Sequence, residues 1–230
     1  MAQRAEGAEL PRGSTAPGLR LATDDPEPVP PTGPGPTPQE LPPDRTQAIL
    51  EAAKQIGSLL KRGGHRFALA GSVAVHALGG QRRLQHDADF CVLREDADAV
   101  AATLREAGLV VREPPEDWLV KTTCFGQDVD IIFELAHHPV TPDLLARAHE
   151  LPVDSVRMPV LAPTDLMWSL LAAFGEHHCD FGAVLPVARV LREKVDWDAV
   201  RERCGQEPMA DAFLFLLERL DIIDARRESR

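Results

Sequence analysis

Residues 70–92 read AGSVAVHALGGQRRLQHDADFCV, and the placement of Gly71-Ser72 and Asp87-x-Asp89 within them decides the fold. The apolar run at 67–70 has the length of a buried strand, and Gly71-Ser72 ends it in a tight turn. A short helix over 73–78 follows, broken by Gly79-Gly80, and then the basic stretch Gln81-Arg82-Arg83. HDADFCVL, residues 86–93, reads as the next strand. Side chains alternate along a strand, so Asp87 and Asp89 share one face while Ala88 and Phe90 turn to apolar cover.

Upstream, Ile49, Leu50, Ala53, Ile56, Leu59 and Leu60 recur at helical spacing. Asp44 stands as N-cap, Lys61 and Arg62 fall in the last turn, and Gly63-Gly64 stops the helix. Downstream, 98–107 is an amphipathic helix closed by Gly108. Two extended segments, 118–125 and 128–135, are joined by Gly126-Gln127 as a hairpin turn. Helix, strand, helix, strand, helix, strand, strand makes a small α+β unit with a mixed sheet over 44–140. From 141 to 230 the texture becomes helical, with helices expected over 163–174, 181–192, 196–204 and 208–220, a bundle packed on the sheet. Ahead of Asp44, residues 1–43 hold more than half of the 20 prolines, including PEPVPPTGPGPTP at 26–38. Such a segment cannot fold back on a core and reads as a disordered, partly polyproline II tail. It is either simply solvated or a docking segment for a protein partner.

Two carboxylates side by side on a strand repel each other unless a cation neutralises them. A hard divalent ion with oxygen ligands is the natural answer, and Mg²⁺ typically combines a few carboxylates with substrate phosphates. A second Asp-x-Asp, Asp128 and Asp130, opens the later strand. Asp130 is followed by Ile131-Ile132, which anchor it in the core, so it is the expected third ligand. Asp128, nearer the turn, is expected to be solvated. At Gly71-Ser72 the glycine allows close backbone approach, and the serine offers a hydroxyl at a helix start, a suitable seat for a phosphate.

The run at 70–92 followed by GQDVDIIFEL at 126–135 resembles the nucleotidyltransferase superfamily of the DNA polymerase β type, closest in pattern to its AbiEii-like and minimal branches. The pattern is Gly-Ser or Gly-Thr, a short helix, Asp-x-Asp on a strand and a later strand Asp. LAPTDLMWSLLAAF at 161–174 is similar to the helical part of such proteins. The resemblance implies that Gly71 and Ser72 bind nucleotide phosphates. It implies that Asp87 and Asp89 hold two Mg²⁺ ions, and that Asp130 completes the catalytic ion's site and helps activate the acceptor. The implied reaction is attack of a hydroxyl (small molecule, protein side chain or RNA end) on the α-phosphorus of an NTP such as ATP, releasing pyrophosphate. The AbiEii likeness also implies a toxin of a toxin–antitoxin pair. Two positions depart from the pattern. His86 stands where a serine often precedes the first Asp, and Ser169 stands near the place of a helical lysine. Arg82, Arg83 and Lys121 are the cations available to a triphosphate, with a solvated loop as the alternative for the arginines. The alternative function is a degenerate fold kept as a nucleotide sensor or protein-interaction module.

A formal net charge of −11 argues against a dedicated binder of duplex nucleic acid, whose affinity comes from counterion release by basic side chains. The four cysteines, Cys91, Cys124, Cys179 and Cys204, have no CxxC spacing and read as reduced thiols. No apolar run approaches a membrane span and no secretory signal opens the chain, so the expected location is the cytoplasm. The adjacent pairs His137-His138 and His177-His178 are poor zinc ligands, because neighbouring side chains diverge.

Overall fold

The computed structural model describes residues 44–80, 84, 87–205 and 207–225. The 1–43 tail and the expected phosphate ligands Arg82 and Arg83 lie outside the described residues. Helix α1 (Arg45–Arg62) is capped by Asp44, whose side chain accepts from the Thr46 N–H, and it ends at Gly63. Strand β1 (Phe67–Ala70) is buried throughout and runs into α2 (Gly71–Ala77), which starts two residues earlier and ends one residue earlier than the sequence suggests. Then come β2 (Ala88–Val92), a 3₁₀ turn, α3 (Ala97–Glu106), β3 (Val111–Arg112), β4 (Leu119–Cys124) and β5 (Gln127–Ile132).

The β4–β5 hairpin turns one residue earlier than expected, on Phe125-Gly126, with Cys124 paired to Gln127. Both turn residues have positive φ, 52° and 69°, as the tight I′ hairpin requires. The strand expected over 128–135 is interrupted at Phe133, whose N–H donates to Trp118 O and whose C=O accepts from Val140 N–H. Beyond it lie the short pair β6 (Glu134–Leu135) and β7 (His138–Pro139), then α4 (Pro142–Ala146).

Residues 149–160, expected to be helical in texture, instead form a hairpin of β8 (His149–Val153) and β9 (Val156–Val160) that extends the sheet. The seven-stranded order is β3-β4-β5-β2-β1-β9-β8, with β2–β5 and β1–β9 parallel and the other neighbours antiparallel. The prolines that obscure this hairpin sit where the sheet tolerates them. Pro152 lies on edge strand β8, and β9 pairs with β1 only at Val160, one residue past Pro159. The helices α5 (Pro163–Ala172), α6 (Phe181–Leu191), α7 (Trp197–Cys204) and α8 (Pro208–Arg219) follow as the sequence predicts, within two residues at each end.

Ile49, Ile56 and Leu60 of α1 join Leu69, Phe90, Ile131 and Met158 in one continuous core. A Cβ added at Gly57 would stand 2.9 Å from Met158 and 3.7 Å from the Phe90 ring, so α1 lies directly on that face of the sheet. Burying a ring such as Phe90 stabilises the fold by about 2–3 kcal/mol. Since Phe90 faces α1, strand alternation sends Asp89 to the opposite face. Lys194 ties the helical half to the end of α2, donating to Leu78 O (2.7 Å), and within that half the Asp196 N–H donates to Thr164 Oγ1 of α5 (3.0 Å). No helix among the described residues is long and apolar enough to cross a membrane.

Candidate active site

Strand register draws a row of charge across the sheet. Ala70 is paired with Asp89, Asp89 with Asp130, Asp130 with Lys121, and Lys121 with Arg112. Residues paired in register on neighbouring strands about 4.8 Å apart turn their side chains to the same face. The row therefore reads acid, acid, base, base from the centre of the sheet towards its β3 edge.

Asp89 and Asp130 owe their positions to the buried residues beside them. Ala88 and Phe90 flank Asp89, and Val129 and Ile131 flank Asp130; all four are buried, which fixes the register that sets the two acids side by side. Burial, with the charges of Asp130 and Asp87 added, pushes Asp89 from 3.8 up to about 7, against the pull of Lys121. Asp130 is also raised, by burial first, even though Lys121 donates to both of its oxygens, Oδ1 at 3.0 Å and Oδ2 at 2.8 Å. Burial works against the Lys121 ammonium, but its bonds to Asp130 and the charges of Asp130, Asp87 and Asp128 hold its pKa above the usual value.

Asp87 sits one residue before β2 rather than on it, close enough to raise both buried acids. Asp128 is exposed near the hairpin turn and accepts from Arg112 Nη2 at 3.4 Å. Arg112, which also donates to Thr123 Oγ1 (3.0 Å), extends the basic half of the row. Nothing in VVREPP, residues 110–115, singles it out in the sequence, because β3 is only two residues long and shows no periodicity.

Gly71 and Ser72 meet the acidic end. Gly71 has φ +57°, and a Cβ there would stand 1.8 Å from Asp89 Oδ2. Only glycine lets the chain turn so close to that carboxylate. Ser72 Oγ, one residue along the chain, is buried with no hydrogen-bond partner among the described residues. Ser169, by contrast, is buried in α5 with its hydroxyl spent on Leu166 O at 2.8 Å.

Among the described residues no three His, Cys, Asp or Glu side chains are gathered closely enough to hold an ion as they stand. The donor set nonetheless suits a hard cation. The buried Asp130 and the part-buried Asp89 lie in one row, and among the described residues the Lys121 ammonium is bound to the first of them.

The sequence family described as "Uncharacterised nucleotidyltransferase" matches residues 43–221. Among solved structures, the chain is similar to an antigenic nucleotidyltransferase-like protein from Paracoccidioides brasiliensis, 14% identical over 76% of this chain and 89% of that one, with a TM-score of 0.54. It is also similar to the antibiotic-resistance factor ANT(2'')-Ia in its solution structure, 12% identical over 76% of this chain and 96% of that one, with a TM-score of 0.51. At these identities the likeness is one of fold. No curated protein matches the chain.

Proposed function

The chain belongs to this nucleotidyltransferase family, and from that premise we propose that it moves a nucleoside monophosphate from an NTP to a hydroxyl acceptor, with Asp87, Asp89 and Asp130 as ligands for Mg²⁺. The observation that carries the reading is the in-register pair Asp89–Asp130, with Asp89 packed against the glycine turn at Gly71. Mg²⁺ bound there would supply Lewis-acid stabilisation of the charge developing on the transferring phosphoryl group.

The remaining work falls to the chain's own groups. Ser72 Oγ and the backbone N–H groups at the start of α2 donate to the triphosphate, and Gly71 leaves room for it. Arg112 adds positive charge at the far end of the row, and Lys121 does so beside it. Asp130 orients the acceptor hydroxyl and takes its proton as the oxygen–phosphorus bond forms at the α-phosphorus. The α–β anhydride bond breaks and pyrophosphate leaves. The β8–β9 hairpin and the helices after it provide the surface that selects the acceptor.

A second reading, a degenerate fold that senses nucleotides or binds a protein, is favoured by one observation. Helix α5 carries no lysine, and Ser169 keeps its hydroxyl for its own backbone. Incubation with each α-³²P-labelled NTP, Mg²⁺ and cell extract separates the two, with wild type beside the Asp87→Ala/Asp89→Ala double variant. Label transferred by wild type alone supports the enzyme, and the labelled species identifies the acceptor class. Absence of transfer together with absence of Mg·NTP binding by calorimetry would leave the protein-interaction form of the second reading.

A further inference from the structure

We propose that Lys121 is a resident counter-ion that holds the acidic half of the site closed, yields Asp130 to a divalent cation, and so sets how tightly that cation binds. The inference rests on reading Asp87, Asp89 and Asp130 as the cation's ligands. The geometry behind it is a direct competition for the same atoms. Lys121 Nζ bonds both carboxylate oxygens of Asp130, 3.0 and 2.8 Å away. An incoming cation needs those oxygens, so a cation bound through Asp130 competes with the ammonium for them.

The two partners differ in freedom. The Asp130 side chain is 12% exposed and fixed between Val129 and Ile131, whereas that of Lys121 is 37% exposed on a long flexible stem. The lysine is therefore the member that can move. Its cross-strand pairing with Asp130 keeps it at the site wherever its tip swings. Neighbouring groups give it a destination. Arg112 stands next in the row and Asp128 near it, so the displaced ammonium remains between the acids and the basic edge where phosphate charge would lie.

The arrangement also accounts for how two carboxylates in register are tolerated on neighbouring strands. With Lys121 in place Asp130 is neutralised, while Asp89 forms no ion pair among the described residues. The site waits half-compensated instead of carrying two unopposed neighbouring charges, and the competition keeps its intrinsic affinity for a bare cation low. Substrate phosphates then reward the exchange by accepting the released ammonium.

The test is Mn²⁺ titration of the full-length, EDTA-stripped protein, following free Mn²⁺ by electron paramagnetic resonance. Wild type is compared with Lys121→Met, Lys121→Arg, Asp130→Asn and Asp89→Asn, each checked for folding by its thermal melt. Lys121→Gln serves as a second neutral variant should the methionine destabilise the sheet. Losing a charge-assisted bond at this separation should tighten Mn²⁺ binding about tenfold in Lys121→Met or Lys121→Gln. Lys121→Arg, which keeps the charge, should stay near wild type, and Asp130→Asn should lose binding. Unchanged or weaker binding in the neutral variants, with wild-type binding still abolished by Asp130→Asn, overturns the counter-ion role and leaves the cation site standing. Mn²⁺ binding that neither Asp130→Asn nor Asp89→Asn alters overturns the site reading, and the counter-ion role falls with it.

Discussion

Two parts of this molecule bury aspartates beside cations, and they treat them in opposite ways. Asp165 on α5 is 2% exposed, yet Arg147 holds it through Nε and Nη2, both at 2.9 Å, and Arg203 binds it from α7. Arg203 lies 4.0 Å from the centre of the Trp168 ring, which keeps its guanidinium in place. Burial pushes the Asp165 carboxyl up, but the bonds and charges of the two arginines outweigh it and leave it below its ordinary 3.8. Asp89, in the sheet row, is driven the other way, to about 7, and Asp130 stays raised despite Lys121. One acid is fully answered by the fold and acts as a fastener between α4, α5 and α7. The other pair is answered only in part. A protein that can place two guanidiniums on one acid has the means to silence a buried charge, and the weaker compensation of Asp89 and Asp130 among the described residues is what the proposed cation site requires.

Substitutions can break this contrast at either end. The largest effect is expected at the fastener. Asp165→Asn leaves two guanidiniums without their carboxylate and should cost about 3–5 kcal/mol by urea unfolding at neutral pH. Because the carboxyl is depressed in the fold, its contribution is present above the unfolded value of 3.8 and lost as pH falls through the lower folded value. The gap between wild type and Asp165→Asn should therefore narrow in unfolding curves taken below about pH 4.

Next comes Gly71→Ala, whose Cβ would collide with Asp89 Oδ2. Displacing that carboxylate by about 1 Å should lower nucleotidyl transfer roughly a hundredfold in steady-state assays, with a smaller loss of stability. Asp89→Asn should invert the sign seen at Asp165. Removing an under-compensated charge in EDTA at pH 8 should stabilise the chain by about 1 kcal/mol or more, by the same urea measurement. The smallest effect belongs to Asp128→Asn, exposed near the turn, which should change transfer by no more than about threefold.

Legibility in the sequence followed local signals. The α1 helix carries its cap, its apolar stripe and its glycine stop within one window, and its bounds could be read directly. Asp89 and Asp130 were legible because each is followed by residues that must be buried, which fixes the facing of its strand. The hairpin at 149–160 was hidden by Pro152 and Pro159, whose tolerance depends on which strand edges they occupy, a property of the assembled sheet. Arg112 and the Arg147–Asp165–Arg203 cluster were invisible for a similar reason. Their partners lie 9 to 38 positions away along the chain, and no periodicity connects them. In the sequence Lys121 is simply a cation available to phosphate, and it is the strand register that gives it Asp130 as a partner.

Thermal unfolding of the EDTA-treated protein, with and without saturating Mg²⁺ and ATP, tests the contrast most directly. The account predicts a rise in Tm of about 5 °C or more for wild type, from ligand binding to the folded state. It predicts the same rise, from a lower starting point, for Asp165→Asn, and little or none for Asp89→Asn. A wild type that does not respond, or an Asp89→Asn variant that gains as much as wild type, would contradict it.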